Sequence, residues 1–151
     1  MYNFLLSFHS IVRWLVVIAA LAAFGKVCAG WLGKGSWTRL DDRLGLFFTI
    51  TMDIQALIGI LLYIFSPLVR TALAHFSLTL SDPTQLFFSL FHEILMLVAV
   101  ALAHIGRSRA RKAEGNPLKF RTAAVFYGLS ILVVLVAIPW PFTFGRPWIR
   151  L

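Results

Sequence analysis

Acidic residues and cysteine are scarce in this chain. Only six of its 151 residues are acidic, one is cysteine, and 13% are charged. A single thiol, Cys28, excludes a disulfide within the chain and cannot make a metal site alone, so we interpret it as a packing residue. The sequence also contains no glycine-rich phosphate loop and no nucleophile constellation. Whether the protein is an enzyme therefore stays open at this stage.

What the sequence has in abundance is apolar residues. They make up 60% of the chain, and the mean hydropathy is +0.85. Four apolar stretches, at 4–24, 44–65, 86–104 and 122–140, are each about 20 residues long, which covers a hydrocarbon core of ~30 Å. The residues before the first stretch carry no Lys or Arg, which favours a retained helix over a secretory signal. We therefore predict an all-α integral membrane four-helix bundle, a single four-span domain over residues 1–151, whose partner is the lipid bilayer.

Basic residues are distributed unevenly between the two sides. Ten of them lie in the loops between spans one and two and between spans three and four: Lys26, Lys34, Arg39, Arg43, Arg107, Arg109, Arg111, Lys112, Lys119 and Arg121. The opposite side carries Arg70, Arg146 and Arg150. The positive-inside rule predicts that the two basic loops are cytoplasmic and that both termini are outside. Basic loops of this kind signal topology and attract anionic lipid, so we expect no nucleic acid partner.

Several short motifs predict where helices begin and end. Thr38 with Asp41, and Asp82 before a proline, have capping spacings that predict the starts of the second and third helices. Gly115 predicts a stop for a cytoplasmic extension of the third helix. The segment 66–81 is too short and interrupted to span, and its apolar residues predict a lid along the outer surface.

Two histidines lie inside different spans at matching depth. His9 and His92 are expected roughly 8 and 9 Å below the outer face, given the helical rise. Facing imidazoles from two helices can hold a haem through both axial positions, because neutral imidazole is a good iron ligand. The same geometry could give one ligand to a chlorophyll-type magnesium. Alternatively, both side chains hydrogen-bond neighbouring helices and bind nothing.

Arg13 follows His9 by one helical turn and lies at roughly 14 Å depth, too deep for easy snorkelling. It needs a partner, which we predict to be Glu93, Asp53 or an anionic group of a cofactor, such as a haem propionate. His104 lies about 18 Å from His92 along the helix and ~120° around it, so the two do not share a face. We interpret His104 as an interfacial residue and His75 as solvated.

Segment 9–14, with the sequence HSIVRW, resembles the first-helix pattern of small four-span bacterial membrane proteins described as cytochrome b-like. Spans two and three carry further residues similar to that group: Asp53, Gln55, Gly59, Tyr63, His92, Glu93, His104, Gly106 and Arg107. The resemblance implies a bacterial inner-membrane haem protein, or an accessory subunit of an electron-transfer complex. Spans two and four hold no histidine, which departs from a two-haem pattern.

Two hypotheses follow from the sequence. In the first, the protein transfers electrons through one haem b near the outer face. His9 and His92 are then its metal ligands, Arg13 a further cofactor-binding residue, and a quinol or a partner complex exchanges electrons with it. In the second, the protein is a haem-free accessory subunit of a respiratory or photosynthetic complex, with a buried polar network formed by His9, Arg13, Asp53, His92 and Glu93.

Overall fold

The computed structural model describes residues 1–145 and 147–149, and all regular secondary structure in this range is helical. Arg146 and Arg150, which the sequence assigns to the outer tail, lie outside the described residues. In chain order the helices are α1 (Tyr2–Leu32), α2 (Arg39–Phe65), α3 (Pro67–Ala74), α4 (Phe76–Thr79), α5 (Pro83–Leu86), α6 (His92–Lys112), α7 (Asn116–Ala137) and α8 (Pro141–Phe144). A π-helical turn, Phe87–Phe91, joins α5 to α6.

Four helical segments are long and apolar enough to cross a membrane. They are Tyr2–Leu32, Arg39–Phe65, Pro83–Lys112 and Asn116–Phe144. The long helices pack in a ring in which α1 contacts α2 and α7, and α6 contacts α2 and α7. The prediction of an integral membrane four-helix bundle is therefore confirmed.

The two ends of the bundle differ in character. At the end that we call the terminal end, α1 begins, α2 ends and α7 ends, and the short helices α3, α4, α5 and α8 gather there. At the opposite, basic end, two short loops join α1 to α2 and α6 to α7. The fourth span was predicted to reach residue 140, but α7 ends at Ala137 because Pro139 holds Ile138 in an extended conformation.

The predicted helix starts are confirmed. Asp41 accepts a hydrogen bond from the Thr38 backbone N–H at 2.7 Å, within a complete capping box at the start of α2. Asp82 accepts from the backbone N–H groups of Thr84 and Gln85 at 2.9 and 3.0 Å. α6 ends at Lys112, earlier than the predicted stop, and Gly115, with φ of +79°, instead precedes the first residue of α7.

The half of the bundle nearer the basic end, which we call the basic half, is tightly packed. Phe48, Phe120 and Tyr127 are each no more than 1% exposed. A Cβ at Gly106 would collide with Cβ of Phe126, so this glycine permits the close approach of α6 and α7. Cys28 packs against the same core, which confirms its structural interpretation.

Segment 66–81 forms α3 and α4 and does not span. Ser66 caps α3 by accepting a hydrogen bond from the Val69 backbone N–H. Val69 and Ala72 are buried, and α3 contacts the end of α2 and the π turn. The segment thus covers the terminal end of the bundle between α2 and α6.

Candidate functional site

A cavity of about 390 Å³ lies in the half of the bundle nearer the terminal end, which we call the terminal half. Its volume falls within the range of small-ligand and cofactor pockets. Its polar lining comes from α1, α2, α6 and their junctions: Tyr2, His9, Ser10, Arg13, Gln55, Tyr63, Ser66, His92 and Glu93. Its apolar lining includes Leu6, Leu62, Phe88, Met96 and Ile138. The cavity therefore combines an apolar shell with a concentrated set of hydrogen-bonding groups.

The cavity brings His9 and His92 together. Their ring centroids are 6.3 Å apart, and the ring planes make an angle of 67°. His9 comes from the first third of α1, and His92 is the first residue of α6. The matched depths inferred from the sequence thus correspond to a real juxtaposition of the two imidazoles.

The orientation of the His92 ring is fixed by the end of α7. Its Nδ1 lies 2.8 Å from the backbone carbonyl oxygen of Ala137, which is in the last turn of α7 and so lacks a partner four residues on. A carbonyl only accepts, so His92 Nδ1–H is the donor. The second nitrogen, Nε2, then keeps its lone pair for another group, as in many metal-binding histidines.

A π-helical turn precedes His92 directly. Such turns insert one residue into a helix and often occur at functional sites. Here a side chain bonds the backbone of the turn, because Tyr63 Oη donates to the Ser89 carbonyl at 2.9 Å. The neighbouring residues Phe87 and Phe88 in this turn have ring centroids 5.8 and 6.2 Å from that of His92. The π turn therefore sets which way His92 faces.

Three buried polar atoms at the cavity have no hydrogen-bond partner in the described part of the chain. They are His9 Nδ1, Arg13 Nε and Gln55 Oε1. The Gln55 amide nitrogen is better satisfied, since it donates to the His9 carbonyl at 3.1 Å. Buried polar groups are almost always paired with protein, water or a ligand. Their concentration here indicates a site that receives an additional polar molecule or group.

The prediction that Asp53 or Glu93 neutralises Arg13 is wrong. Within residues 1–145 and 147–149, no carboxylate lies within 4.0 Å of the guanidinium. Arg13 instead donates to the Trp148 carbonyl at 2.6 Å and lies over the Trp14 ring at 5.5 Å. A main-chain carbonyl near the terminal end satisfies one of its donors. A cofactor anion as the partner of the remaining donors stays a prediction.

Glu93 lines the cavity next to His92, and no ion pair or hydrogen bond of its side chain is formed with the described residues. Asp53 lies elsewhere, bonded to His104 at 2.8 Å between Asp53 Oδ1 and His104 Nε2. His104 is therefore separate from the cavity. His75 is exposed at the end of α3.

Sequence reasoning missed four elements of this site, three of them in the backbone. The π turn, the Ala137 carbonyl and the Trp148 carbonyl are backbone features, and residue type gives no direct signal for them. Phe144 of α8 was also missed, although its ring lies 4.3 Å from that of Phe87. The proline pair around Trp140 was the available sign that the chain turns back over the terminal end.

Comparison with known proteins gives no relative for this chain: no family model, no curated protein and no solved structure matches it.

Proposed function

We propose that the terminal-half cavity binds one haem b, with His9 and His92 as its axial ligands, and that the protein carries electrons in the membrane. The distance between the two imidazoles carries this proposal. Metal–imidazole bonds of roughly 2.0–2.1 Å need facing nitrogens about 4 Å apart. A ring nitrogen lies roughly 1 Å from the centre of its ring, given bonds of about 1.3–1.4 Å. Centroids 6.3 Å apart therefore suit a metal between the rings.

The other groups of the cavity support the same ligand class. His92 donates through Nδ1 to Ala137, which leaves Nε2 as the ligating atom and holds the ring against rotation. Phe88, Met96, Leu62 and Ile138 supply the apolar contacts that a macrocycle requires. The fit thus rests on one oriented imidazole, His92, on a second imidazole with its ring centre 6.3 Å away, and on an apolar shell.

Arg13 is suited to bind a propionate at the edge of a haem. Its Nε is buried without a partner and lines the cavity on the same helix as His9. A guanidinium hydrogen-bonds carboxylates strongly, so we assign it to a propionate. When bound, haem supplies reversible one-electron exchange. His9 and His92 would hold it, Phe88 and the other apolar lining residues would limit its contact with water, and Arg13 would balance the charge of a propionate.

The position of the cavity bears on the electron partner. It lies at the terminal end, which the basic loops predict to be the outer side of a bacterial inner membrane. A quinol or a respiratory or photosynthetic complex meeting the outer half of the bilayer is the partner class we propose. Electrons then enter or leave over the short distance between the cavity and the terminal end.

A haem-free accessory subunit remains the second candidate, and specific contacts favour it. Gln55 bonds the His9 carbonyl of α1, Tyr63 bonds the Ser89 carbonyl of the π turn, and His92 bonds Ala137 of α7. Each bond links two different elements of the bundle through a backbone carbonyl. Such bonds alone can fix helix packing without any cofactor.

An absorbance spectrum of protein purified from its native membrane separates the two candidates. The haem proposal predicts a Soret band and an α band that sharpens on reduction, and about one haem per chain after extraction. A preparation without haem that also fails to take up added haemin would refute it. An extracted magnesium pigment would likewise overturn it, because one histidine suffices for that metal.

The proposed orientation has its own test. In a Cys28→Ser background, Glu114→Cys places a thiol in the exposed loop between α6 and α7, and Ser81→Cys places one at the terminal end. An impermeant thiol reagent on intact cells should label the second variant and spare the first. Ready labelling of the Glu114→Cys protein would show that the bundle is inverted.

A further inference from the structure

Asp53 and His104 form a polar pair on the outside of the bundle. Asp53 Oδ1 lies 2.8 Å from His104 Nε2, linking α2 to α6. Their side chains are 46% and 49% exposed. The pair is separate from the cavity, and neither residue has a place in the proposed haem site.

The depth of this pair makes its exposure unfavourable. Asp53 lies near the centre of the 27-residue helix α2, well away from both ends. A helix of that length exceeds the ~30 Å hydrocarbon core, so its centre lies among lipid tails. Ionisable residues at such depth almost always face protein or a water-filled space. The imidazole of His104, which the sequence predicted at the interface, bonds Asp53 at this depth, so the half-exposed pair indicates that something other than lipid covers it.

The pair also has unused hydrogen-bonding capacity. Asp53 Oδ2 and His104 Nδ1 form no hydrogen bond with any described residue. The surrounding surface of α2 and of the terminal-end part of α6 is apolar, with Ile50, Leu57, Leu97 and Ala101 exposed. Towards the basic end, His104 borders a surface pocket whose other lining residues are Arg107, Ser108, Arg111 and Lys112. A polar centre beside an apolar surface is typical of a helix–helix contact within a membrane.

We propose that a second copy of this chain covers the face formed by α2 and α6, giving a two-fold symmetric dimer. Two copies in one membrane share an orientation, so their two-fold axis runs along the membrane normal. That rotation places α2 of one copy opposite α6 of the other and keeps every residue at its own depth. Asp53 of each copy therefore faces His104 of its partner copy.

Complementarity of charge is the reason for choosing a second copy as the occupant. Each face presents one carboxylate and one imidazole at the same depth, and the two-fold axis pairs each with its opposite. The free Oδ2 of Asp53 then accepts from His104 Nδ1–H of the second copy. Because a carboxylate only accepts, both ring nitrogens of each His104 donate in this network, so His104 is an imidazolium in the dimer. The four side chains close into a network in which every member has a partner, as buried polar groups require.

Cross-linking tests the contact. In a Cys28→Ser background, Leu57→Cys and Ala101→Cys are co-expressed as separate chains with different tags. Both sites are one helical turn towards the terminal end from the polar pair, on opposing helices of the dimer. We expect a mixed disulfide under mild oxidation. The matched control combines Ile11→Cys of α1 with Leu129→Cys of α7, both exposed on other faces and as far from the terminal ends of their helices as the test pair. Cross-linking no greater than in this control would overturn the proposal.

The oligomeric state tests the role of the polar pair. The wild-type chain in nanodiscs or mild detergent should have about twice the 17.0 kDa mass of one copy. The double variant Asp53→Leu with His104→Leu should raise the dimer dissociation constant at least tenfold while keeping its helical circular dichroism. A wild-type monomer, or a dimer of unchanged affinity in the double variant, would contradict the proposal. Because leucine is stable in contact with lipid, the double variant should fold as a monomer. A loss of dimer in this variant therefore reports on the contact and not on unfolding.

Discussion

The two halves of the bundle are packed differently, although the same four helices form both. In the basic half, Phe48, Phe120 and Tyr127 fill the space between helices almost completely. In the terminal half, the same helices surround a cavity of about 390 Å³ with three buried polar atoms that lack a partner among the described residues, whereas the basic half has one, Arg107 Nε. The tightly packed basic half gives the fold its stability, and the terminal half holds the groups capable of chemistry.

The two halves also differ in whether their charged side chains form ion pairs. In the basic half, Lys26 pairs with the buried Asp41 at 2.9 Å and Arg107 pairs with Asp42 at 3.3 Å. In the terminal half, Arg13 and Glu93 line one cavity, yet they do not form a salt bridge with each other. Charges that are paired support structure, whereas charges left unpaired at a cavity indicate a ligand.

The largest effect on stability should come from removing a large side chain from the core of the basic half. Phe48→Ala removes a side chain with no exposed surface and its edge-on contact with Tyr127, at a ring distance of 5.5 Å. We expect a loss of about 3–5 kcal/mol in the free energy of unfolding. Phe88→Ala, at the cavity wall, should cost much less. Unfolding in mixed micelles measures both, and equal losses would show that the halves are packed alike.

A pair of glycine substitutions sharpens the comparison. In Gly106→Ala the new methyl group would collide with Phe126 Cβ and force α6 away from α7, at a cost of about 1–3 kcal/mol. In Gly59→Ala the nearest atom is His9 Cε1 at 3.5 Å, an ordinary contact. Thermal unfolding should therefore distinguish the two variants, and a Gly59→Ala protein as unstable as the Gly106→Ala protein would contradict the account.

A larger residue at Gly59 should affect binding more than folding. Gly59→Leu extends beyond the methyl group into the cavity and displaces the His9 ring. We expect haemin affinity to fall at least tenfold, about 1.4 kcal/mol, while the unfolding temperature changes little. Gly59→Ala is the matched control and should retain affinity. Unchanged haemin binding in the leucine variant would place the ligand elsewhere.

Much of the fold could be predicted because lipid imposes simple rules. Hydropathy predicted the four spans, and capping residues such as Thr38 and Asp82 predicted helix starts within a residue. The matched depths of His9 and His92 predicted that the two would meet. These features depend on side-chain type and helical rise alone.

The features that the sequence did not predict depend on the backbone and on which helices are neighbours. The π turn before His92 and the free carbonyl of Ala137 have no residue-type signature. Arg13 was assigned to Glu93, Asp53 or a cofactor anion because the sequence shows charges and hides main-chain acceptors. Among the described residues it donates to the Trp148 carbonyl, and the cofactor anion stays a prediction. His104 was interpreted as an interfacial residue, yet α2 and α6 bring it within 2.8 Å of Asp53, near the middle of α2.

Haemin titration of histidine variants tests the central claim most directly. The wild-type protein should bind one haemin per chain and give a low-spin spectrum. His9→Ala and His92→Ala should each abolish low-spin binding, while His75→Ala and His104→Ala, which alter histidines outside the cavity, should retain it. Low-spin haem binding that persists in both His9→Ala and His92→Ala would contradict the account.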